Sequence, residues 1–149
     1  MKYLITGGAG FIGSNLSLEL IKKGNSVTVL DNLNSQIHGD DYEKSPSYQS
    51  IKGKVDFIKG DVRNKSDWIK SLNEVDIIIH LAAETGTGQS MYCVQKYIDV
   101  NVVGLSILYD ILVSGSHSIK KLVLASSRAV YGEGKYICEK CKFKRRIFQ

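Results

Sequence analysis

The sequence predicts an α/β fold in which helices cover both faces of a parallel sheet. Nearly continuous apolar runs recur along the chain, at residues 26–30, 55–58, 75–79 and 121–125. Strands that are buried on both faces have this pattern, whereas half-exposed strands alternate. Helix-like stretches at residues 65–72 and 91–114 separate the later runs. With an N-terminal strand added, the pattern predicts a doubly wound sheet, truncated to about five strands.

The N-terminal strand enters a glycine-rich loop with the spacing Gly-x-x-Gly-x-x-Gly. We expect Gly7 to turn the chain off the strand, Gly10 to let the backbone approach a phosphate, and Gly13 to let the next helix pack tightly on the sheet. Apolar residues at helical spacing follow, at Ile12, Leu16 and Leu20. Because a helix N-terminus offers N–H donors and partial positive charge, the loop predicts a pyrophosphate site in a Rossmann-like domain.

The second strand ends in Asp31. A carboxylate at this place accepts hydrogen bonds from the two hydroxyls of an adenosine ribose. The segment 31–36 contains no Lys or Arg that would neutralise a 2′-phosphate, so the sequence favours NAD over NADP. A solvated aspartate that merely ends a strand is the alternative, and the glycine loop makes it the weaker one.

Two further segments follow strands that end at the same edge of the predicted sheet. After the third strand, Asp61 is placed to meet the exocyclic amine of adenine and Val62 to lie against the ring, although a structural Gly-Asp turn fits the spacing nearly as well. His80 ends the fourth strand and is interpreted as a structural histidine. Residues that permit close approach of a flat cofactor come next. They are Leu81, Ala82 and Ala83.

Composition restricts the class of protein. A chain of 149 residues, 43% hydrophobic and 23% charged, is typical of one globular domain. Most of the net charge of +5 lies in residues 133–149 without an aromatic and basic groove pattern, so no nucleic-acid partner is expected. The sequence predicts neither a membrane span nor a signal peptide. Three cysteines form no even framework, which favours a reducing, cytoplasmic setting.

The motifs, taken in order, resemble a known family. They are Thr6 to Gly13, Asp31-Asn32, Gly60 to Arg63, His80 to Ala83, Asn101 and Ser126 to Gly132. The set is similar to the extended short-chain dehydrogenases/reductases, specifically the NAD-dependent nucleotide-sugar epimerases and dehydratases, over about residues 1–134. Segments 84–91 and 127–134 look most like those of 4-epimerases that act on UDP-glucose or dTDP-rhamnose.

The resemblance implies a reaction and a set of site residues. Hydride leaves sugar C4 for bound NAD, the 4-keto sugar rotates, and hydride returns to the other face. Ser127 matches the residue that hydrogen-bonds the C4 oxygen, and a strand-end hydroxyl bonded to backbone is the alternative for it and for Ser126. The implied cofactor-binding residues are Gly7, Gly10, Phe11, Ile12, Gly13, Asp31, Asn32, Asp61, Val62, Leu81, Ala82, Ala83, Asn101 and Ser126.

The resemblance also implies a Tyr base with a Lys four residues later, well downstream of the serine strand. Four such spacings occur, at Tyr48/Lys52, Tyr92/Lys96, Tyr131/Lys135 and Tyr136/Lys140. The first two come too early, the third spans two glycines, and the fourth lies too close to Ser127. We therefore expect the base to be absent, with Tyr136 as the alternative, and the chain to be a truncated product or fragment that is inactive alone.

Three functions remain open on this evidence. The leading hypothesis is the NAD-binding domain of a nucleotide-sugar 4-epimerase. A non-catalytic NAD-binding sensor or interaction module is the second, and a fragment of a dehydratase or reductase is the third. In the full-length family the partner is a nucleotide-sugar substrate.

Two regions of the chain are expected, an NAD-binding domain at residues 1–134 and a basic, cysteine-containing tail at residues 135–149. Cys138 and Cys141 have the spacing of half a zinc ribbon, but structural zinc needs four ligands, so no metal site is expected. Segment 32–50 is interpreted as a surface excursion.

The predicted helix at residues 91–114 carries a broad apolar stripe, which should pack on the sheet. The stripe consists of Val94, Ile98, Val102, Leu105, Leu108 and Leu112. The helix resembles the family's dimer helix, which suggests a homodimer.

Overall fold

A computed structural model describes residues 1–115, 117–131, 135–137, 139–141 and 144–146. One parallel sheet contains five strands: β1 (Lys2–Thr6), β2 (Ser26–Asp31), β3 (Asp56–Lys59), β4 (Ile77–His80) and β5 (Lys121–Leu124). Their order across the sheet is β3-β2-β1-β4-β5. The chain runs outward from β1 to one edge and then crosses to the other. The predicted doubly wound, Rossmann-like fold is therefore confirmed.

Helices connect the strands. They are α1 (Phe11–Lys22), α2 (Ser35–His38), α3 (Pro46–Ile51), α4 (Lys65–Ser71), α5 (Thr87–Ser90), α6 (Val94–Ile98) and α7 (Gly104–Ser114). A π-helical segment, Asp99–Val103, joins α6 to α7, so that Val94–Ser114 forms one long helix. Short 3-10 turns occur at Tyr42–Lys44 and Arg128–Tyr131.

The core has two halves, one on each face of the sheet. Neighbouring residues of β1, Leu4 and Ile5, are both fully buried, and each belongs to a different half. On Leu4's face, Trp68 of α4 and Leu108 of α7 pack against the sheet. On Ile5's face, residues of α1 and α3 do so. Successive side chains of a strand point to opposite faces, which explains why the strands are apolar throughout.

Segment 32–50, interpreted as a surface excursion, is largely exposed, but it is not only a loop. It forms α2, a 3-10 turn and most of α3, and it buries Leu33 and Tyr48 in the core. The ring of Tyr48 packs edge-on against Phe57 of β3, with centroids 5.1 Å apart. The polar residues that suggested a loop act as helix caps instead. Asn34 and Asp41, for example, accept hydrogen bonds from backbone N–H groups of the turns that they begin.

The prediction for the α1 face is correct only in part. Leu16 and Leu20 pack against the core, but Ile12 is 65% exposed. The most buried side of the helix consists of small residues, Gly13, Ser14 and Ser17. Ser17 satisfies its buried hydroxyl by donating to the Gly13 carbonyl at 2.7 Å. Small residues let the helix axis come close to the glycine loop and the sheet.

The predicted stripe on the long helix holds only in its C-terminal half. Leu108 is fully buried, but Val94, Ile98 and Val102 are 54%, 44% and 60% exposed. The π-helical segment explains the difference, because an extra residue in the turn rotates the preceding part of the helix relative to α7. Val100, within that segment, takes the core position instead.

By length and composition, Val94–Ser114 is apolar enough to cross a bilayer. The core helix of an α/β domain passes the same test. Here Val100 and Leu108 are buried in the core on one face of the sheet, while several other large apolar side chains of the helix are exposed.

The tail forms an antiparallel hairpin of β6 (Lys135–Ile137) and β7 (Lys144–Arg146). Cys141 is an exposed free thiol. Cys138 and the boundary at residue 134 lie outside the described residues. Within the described part of the chain, no three His, Cys, Asp or Glu side chains come together as a metal site would require.

Candidate functional site

The glycine loop begins with a residue that only glycine fits. Gly7 has φ +67°, and a Cβ on it would lie 2.8 Å from the backbone N of Ala82. Its own N–H donates to the Leu30 carbonyl at 2.9 Å. Gly7 therefore turns the chain, as predicted, and also holds the loop against the segment that follows β4.

Gly13 has a different neighbour from the one predicted. A Cβ there would lie 2.5 Å from the Gly7 carbonyl oxygen and from the Gly8 Cα, so the close packing is between α1 and the loop. It is Gly8 that packs on the sheet, because its Cβ would lie 2.6 Å from the side chain of Val29. In the sequence, the second glycine of the Gly7-Gly8 pair could have indicated that Gly8 packs on the sheet.

The N-terminus of α1 is open to an anion. Gly10 is its cap residue, no side chain caps it, and its first turn contains no acidic residue. Ser14 N–H makes the first intrahelical bond, to Gly10 O at 2.9 Å, so the N–H groups of Phe11, Ile12 and Gly13 precede it. The atom nearest a Cβ on Gly10 would be Gly7 O at 3.3 Å. A pyrophosphate group fits this cradle of N–H donors.

Asp31 joins two loops beside this cradle. Its carboxylate is 8% exposed, and its two oxygens accept hydrogen bonds from the N–H groups of Ala9 and Leu33, both at 2.9 Å. Each carboxylate oxygen has a second lone pair, so both can still accept a ribose hydroxyl. The sequence indicated a ribose ligand at this position, but not the anchoring of the glycine loop.

Behind Asp31 lies a buried histidine that sequence reasoning missed. The side chain of His38 is 2% exposed, with Nε2 3.9 Å from Asp31 Oδ1 and Nδ1 3.0 Å from the Ser45 hydroxyl. Both Ser45 and His38 lie in the segment interpreted as a surface excursion, so their composition gave no sign of burial.

Asn32 and Asp61, predicted separately, come into contact. Asn32 Nδ2 donates to Asp61 Oδ2 at 3.1 Å, and the Arg63 guanidinium donates to both oxygens of Asp61 at 2.9 and 2.8 Å. Chiefly because of the Arg63 side chain, the pKa of Asp61 is lowered to about 2. Val62 is 5% exposed and packs in the core, which leaves little of its side chain for an adenine ring.

Thr6 and His80 fix the segment after β4. The Thr6 hydroxyl accepts from Ala82 N–H at 3.2 Å and is also hydrogen-bonded to His80 Nδ1, 2.7 Å away. Burial lowers the pKa of His80 to about 4, so its ring is neutral at neutral pH. His80 is thus a structural histidine, and it holds Leu81 and Ala82 beside Gly7.

Asn101 lies in the π-helical segment, and its side chain hydrogen-bonds the backbone of the loop after β4. Its Oδ1 accepts from Glu84 N–H at 2.9 Å, and its Nδ2 donates to the Glu84 carbonyl at 3.1 Å. Segments of this kind often occur at functional sites, where they redirect one side chain. Asn101 therefore positions the Glu84 loop, and its contact with the cofactor stays a prediction.

Ser126 and Ser127 follow β5 at the same edge of the sheet and are exposed. Ser127 Oγ accepts from Ala129 N–H at 3.1 Å, so it caps the 3-10 turn Arg128–Tyr131. Its hydroxyl is thus bonded to backbone at the end of a strand, which is the alternative that the sequence left open for Ser127. Its O–H remains available to donate to a ligand.

Neither described Tyr/Lys pair forms a base and its partner. Tyr48 is in the core and Lys52 pairs with Glu43, while Tyr92 is 86% exposed and Lys96 pairs with Glu84 at 3.0 Å. The side chains of Tyr131, Lys135 and Tyr136 lie outside the described part of the chain.

An open parallel sheet with a glycine loop and a helix N-terminus at its carboxyl edge defines a dinucleotide-binding α/β protein. Residues 4–144 match the family model described as GDP-mannose 4,6 dehydratase. The chain belongs to this family, which confirms the predicted resemblance to nucleotide-sugar epimerases and dehydratases. The match runs past residue 134, where the predicted domain ends.

Two curated relatives that the chain matches are 4-epimerases. The dTDP-L-rhamnose 4-epimerase of Burkholderia thailandensis is 42% identical over 135 residues, which cover 89% of this chain and 36% of that protein. The bifunctional UDP-glucose 4-epimerase and UDP-xylose 4-epimerase 1 of Pisum sativum is 36% identical, with 89% and 38% covered. The chain thus spans little more than a third of the length of these relatives.

Solved structures of 4-epimerases also resemble this chain. UDP-glucose 4-epimerase from Bifidobacterium longum, in complex with NAD+ and UDP, is 30% identical with a TM-score of 0.71, over 89% of this chain and 38% of that one. UDP-glucuronic acid 4-epimerase from Bacillus cereus, in complex with UDP-glucuronic acid and NAD, is 29% identical with a TM-score of 0.74, over 94% and 44%. NAD is therefore the cofactor of these relatives, in agreement with the prediction from the sequence.

Proposed function

We propose that this chain forms the NAD-binding part of a nucleotide-sugar 4-epimerase. The observation that carries the proposal is the uncapped N-terminus of α1, which follows a glycine loop too tight for any side chain at Gly7 or Gly13. The 4-epimerase relatives, at 42% and 36% identity, support the class of reaction and a nucleotide-sugar substrate.

NAD, rather than NADP, fits the adenosine end of the site. Asp31 places a carboxylate beside the glycine loop, and both oxygens keep a lone pair for the ribose hydroxyls. A 2′-phosphate there would meet a buried negative charge with no Lys or Arg in segment 31–36 to balance it. Like charges at short range repel, so the site discriminates against NADP.

The residues have separate roles in the proposed reaction. The N–H groups at the start of α1 bind the pyrophosphate, Asp31 and Asn32 hold the adenosine, and the segment 81–83 lies along the cofactor. Ser127 donates a hydrogen bond to the C4 oxygen of the sugar. When bound, NAD supplies the hydride acceptor and donor for that carbon.

When hydride leaves sugar C4, a base must also take the proton of the C4 hydroxyl. Neither Tyr/Lys pair in the described part of the chain can do this. Tyr48 is buried away from the site, and Lys96 is held by Glu84. We therefore expect the chain alone to bind NAD and to give no epimer from UDP-glucose or dTDP-rhamnose.

The exposed side of the long helix is proposed as a homodimer surface. It presents large apolar side chains that stay solvent-exposed in the single chain, namely Val94, Ile98, Val102, Tyr109 and Val113. Exposed apolar patches of this kind mark interaction sites. A second copy is the proposed occupant because the helix resembles the family's dimer helix.

A valine at Gly10 tests the proposed site. Its side chain would fill the space before the N–H donors of α1, so isothermal titration with NAD is expected to give clear binding for the unaltered chain and none for Gly10→Val. Lys65→Val places the same side chain in the exposed first turn of α4 and should leave binding unchanged. Equal heats from the unaltered chain and Gly10→Val would contradict the assignment.

A further inference from the structure

Side chains join the two loops that flank the proposed cofactor groove. Asn34 Nδ2 donates to Glu84 Oε1 at 3.2 Å. Gln36 and Gln89 exchange hydrogen bonds between their amides, at 3.2 and 3.4 Å. Asn34 and Gln36 come after β2, whereas Glu84 and Gln89 come after β4.

These links lie in front of the glycine loop. In the sheet, β1 stands between β2 and β4, and all three end at the same edge. Contacts between the loops after β2 and β4 must therefore pass the carboxyl end of β1, where the glycine loop begins. That is also where the pyrophosphate is proposed to bind.

The β4 side of the link is firmly held. The Glu84 side chain is 12% exposed and pairs with Lys96 at 3.0 Å, while Asn101 grips its backbone. The Tyr97 hydroxyl lies 3.0 Å from the Gly86 carbonyl oxygen and 3.2 Å from Gln89 Oε1, two acceptors that share its one proton. A partly buried, charge-assisted contact is stronger than the exposed pairs along α1.

We propose that Asn34, Glu84 and Lys96, together with the Gln36–Gln89 amide pair, form a clasp that retains the dinucleotide. The clasp must open for NAD to enter or leave, so it slows exchange. This inference rests on the proposed NAD site. Retention suits an epimerase, because hydride must return to the sugar from which it came.

The release rate of a fluorescent analogue, etheno-NAD, tests whether the clasp slows dissociation. The loaded chain is mixed with excess NAD, and the fluorescence change gives the release rate. Glu84→Gln removes the charge from the clasp and is expected to raise the release rate about tenfold, with Asn34→Ala giving a smaller rise of about fivefold. The association rate should stay the same or increase. Glu43→Gln removes an exposed Glu–Lys pair elsewhere and should leave both rates unchanged.

A double variant, Asn34→Ala with Glu84→Gln, tests whether the two residues share a contact. Their effects on release should then be less than multiplicative, because Asn34→Ala removes the hydrogen bond that Glu84→Gln weakens by removing the charge of the acceptor. Gln36→Leu tests the second link alone and should also speed release, even where Glu84→Gln proves too unstable to load.

The results that overturn the clasp differ from those that overturn the site. Unchanged release in Glu84→Gln, Asn34→Ala and Gln36→Leu, with binding intact, refutes the clasp and leaves the NAD site standing. Slower association with unchanged release also refutes it, since the residues would then only shape the pocket. If the unaltered chain binds neither NAD nor etheno-NAD, the proposed function fails and the clasp fails with it.

Discussion

Asp31 serves the fold and the proposed site at the same time. Its carboxylate holds the N–H groups of Ala9 and Leu33, and it keeps one lone pair on each oxygen for a ribose. The sequence could predict the ligand role from the position after β2. It could not predict the anchoring role, because that depends on how closely the glycine loop approaches the end of β2.

Asp31→Asn is expected to lower the free energy of unfolding by about 1–3 kcal/mol, since an amide nitrogen would then face a backbone N–H. Urea denaturation measures the loss. Asp40→Asn, an exposed position in the same loop region, should change it by less than about 0.5 kcal/mol. Equal stability of the two variants would show that the carboxylate does not anchor the loops.

His80 makes stability depend on pH in a narrow window. Because burial lowers its pKa in the folded chain to about 4, the unfolded chain binds the proton first as pH falls below about 6.5. Stability should therefore drop by roughly 3 kcal/mol between pH 6.5 and 4, at about 1.36 kcal/mol per unit of pKa difference. Asp61, with a pKa of about 2, acts only at lower pH.

Urea denaturation of the unaltered chain and of His80→Gln, at pH 7 and at pH 4.5, measures this dependence. The variant should lose much less stability than the unaltered chain over that interval. The same loss in both proteins would assign the pH dependence to other groups.

At the scale of elements, the apolar pattern of the sequence predicted the strands of the sheet, α4 and the C-terminal half of the long helix. Continuous apolar runs indicated the strands, and helix-like stretches between them indicated the helices. The helices of segment 32–50 were missed because Asn and Asp occur both in loops and at helix N-caps, and here the side chains of Asn34 and Asp41 cap the turns that they begin. The shift of the stripe at Asp99–Val103 was also missed, since periodicity assumes a regular helix.

The long helix supplies the next test. Val102→Glu places a charge at the centre of the proposed dimer surface and should convert a dimer to a monomer in sedimentation velocity. Ile69→Glu, on the solvent-facing side of α4, is a matched control because the side chain of Ile69 is 58% exposed, close to the 60% of Val102. A monomeric unaltered chain at all concentrations, or dissociation by the control alone, would contradict the proposed surface.

At the scale of the whole molecule, the proposed site lies where parallel strands end and the strand order reverses. The residues predicted for the cofactor come from several loops, and the structure brings them to that one edge. The sequence could predict this convergence, because parallel strands share a carboxyl edge. The links between Asn34, Glu84 and Lys96 could not be predicted, because they join residues far apart in sequence through side-chain geometry alone.

Isothermal titration of the unaltered chain with NAD and, separately, with NADP tests the central claim most directly. We expect one NAD per chain and NADP binding weaker by at least about tenfold, because the 2′-phosphate would meet the Asp31 carboxylate. Binding of neither dinucleotide, or equal affinity for both, would contradict the proposed NAD site.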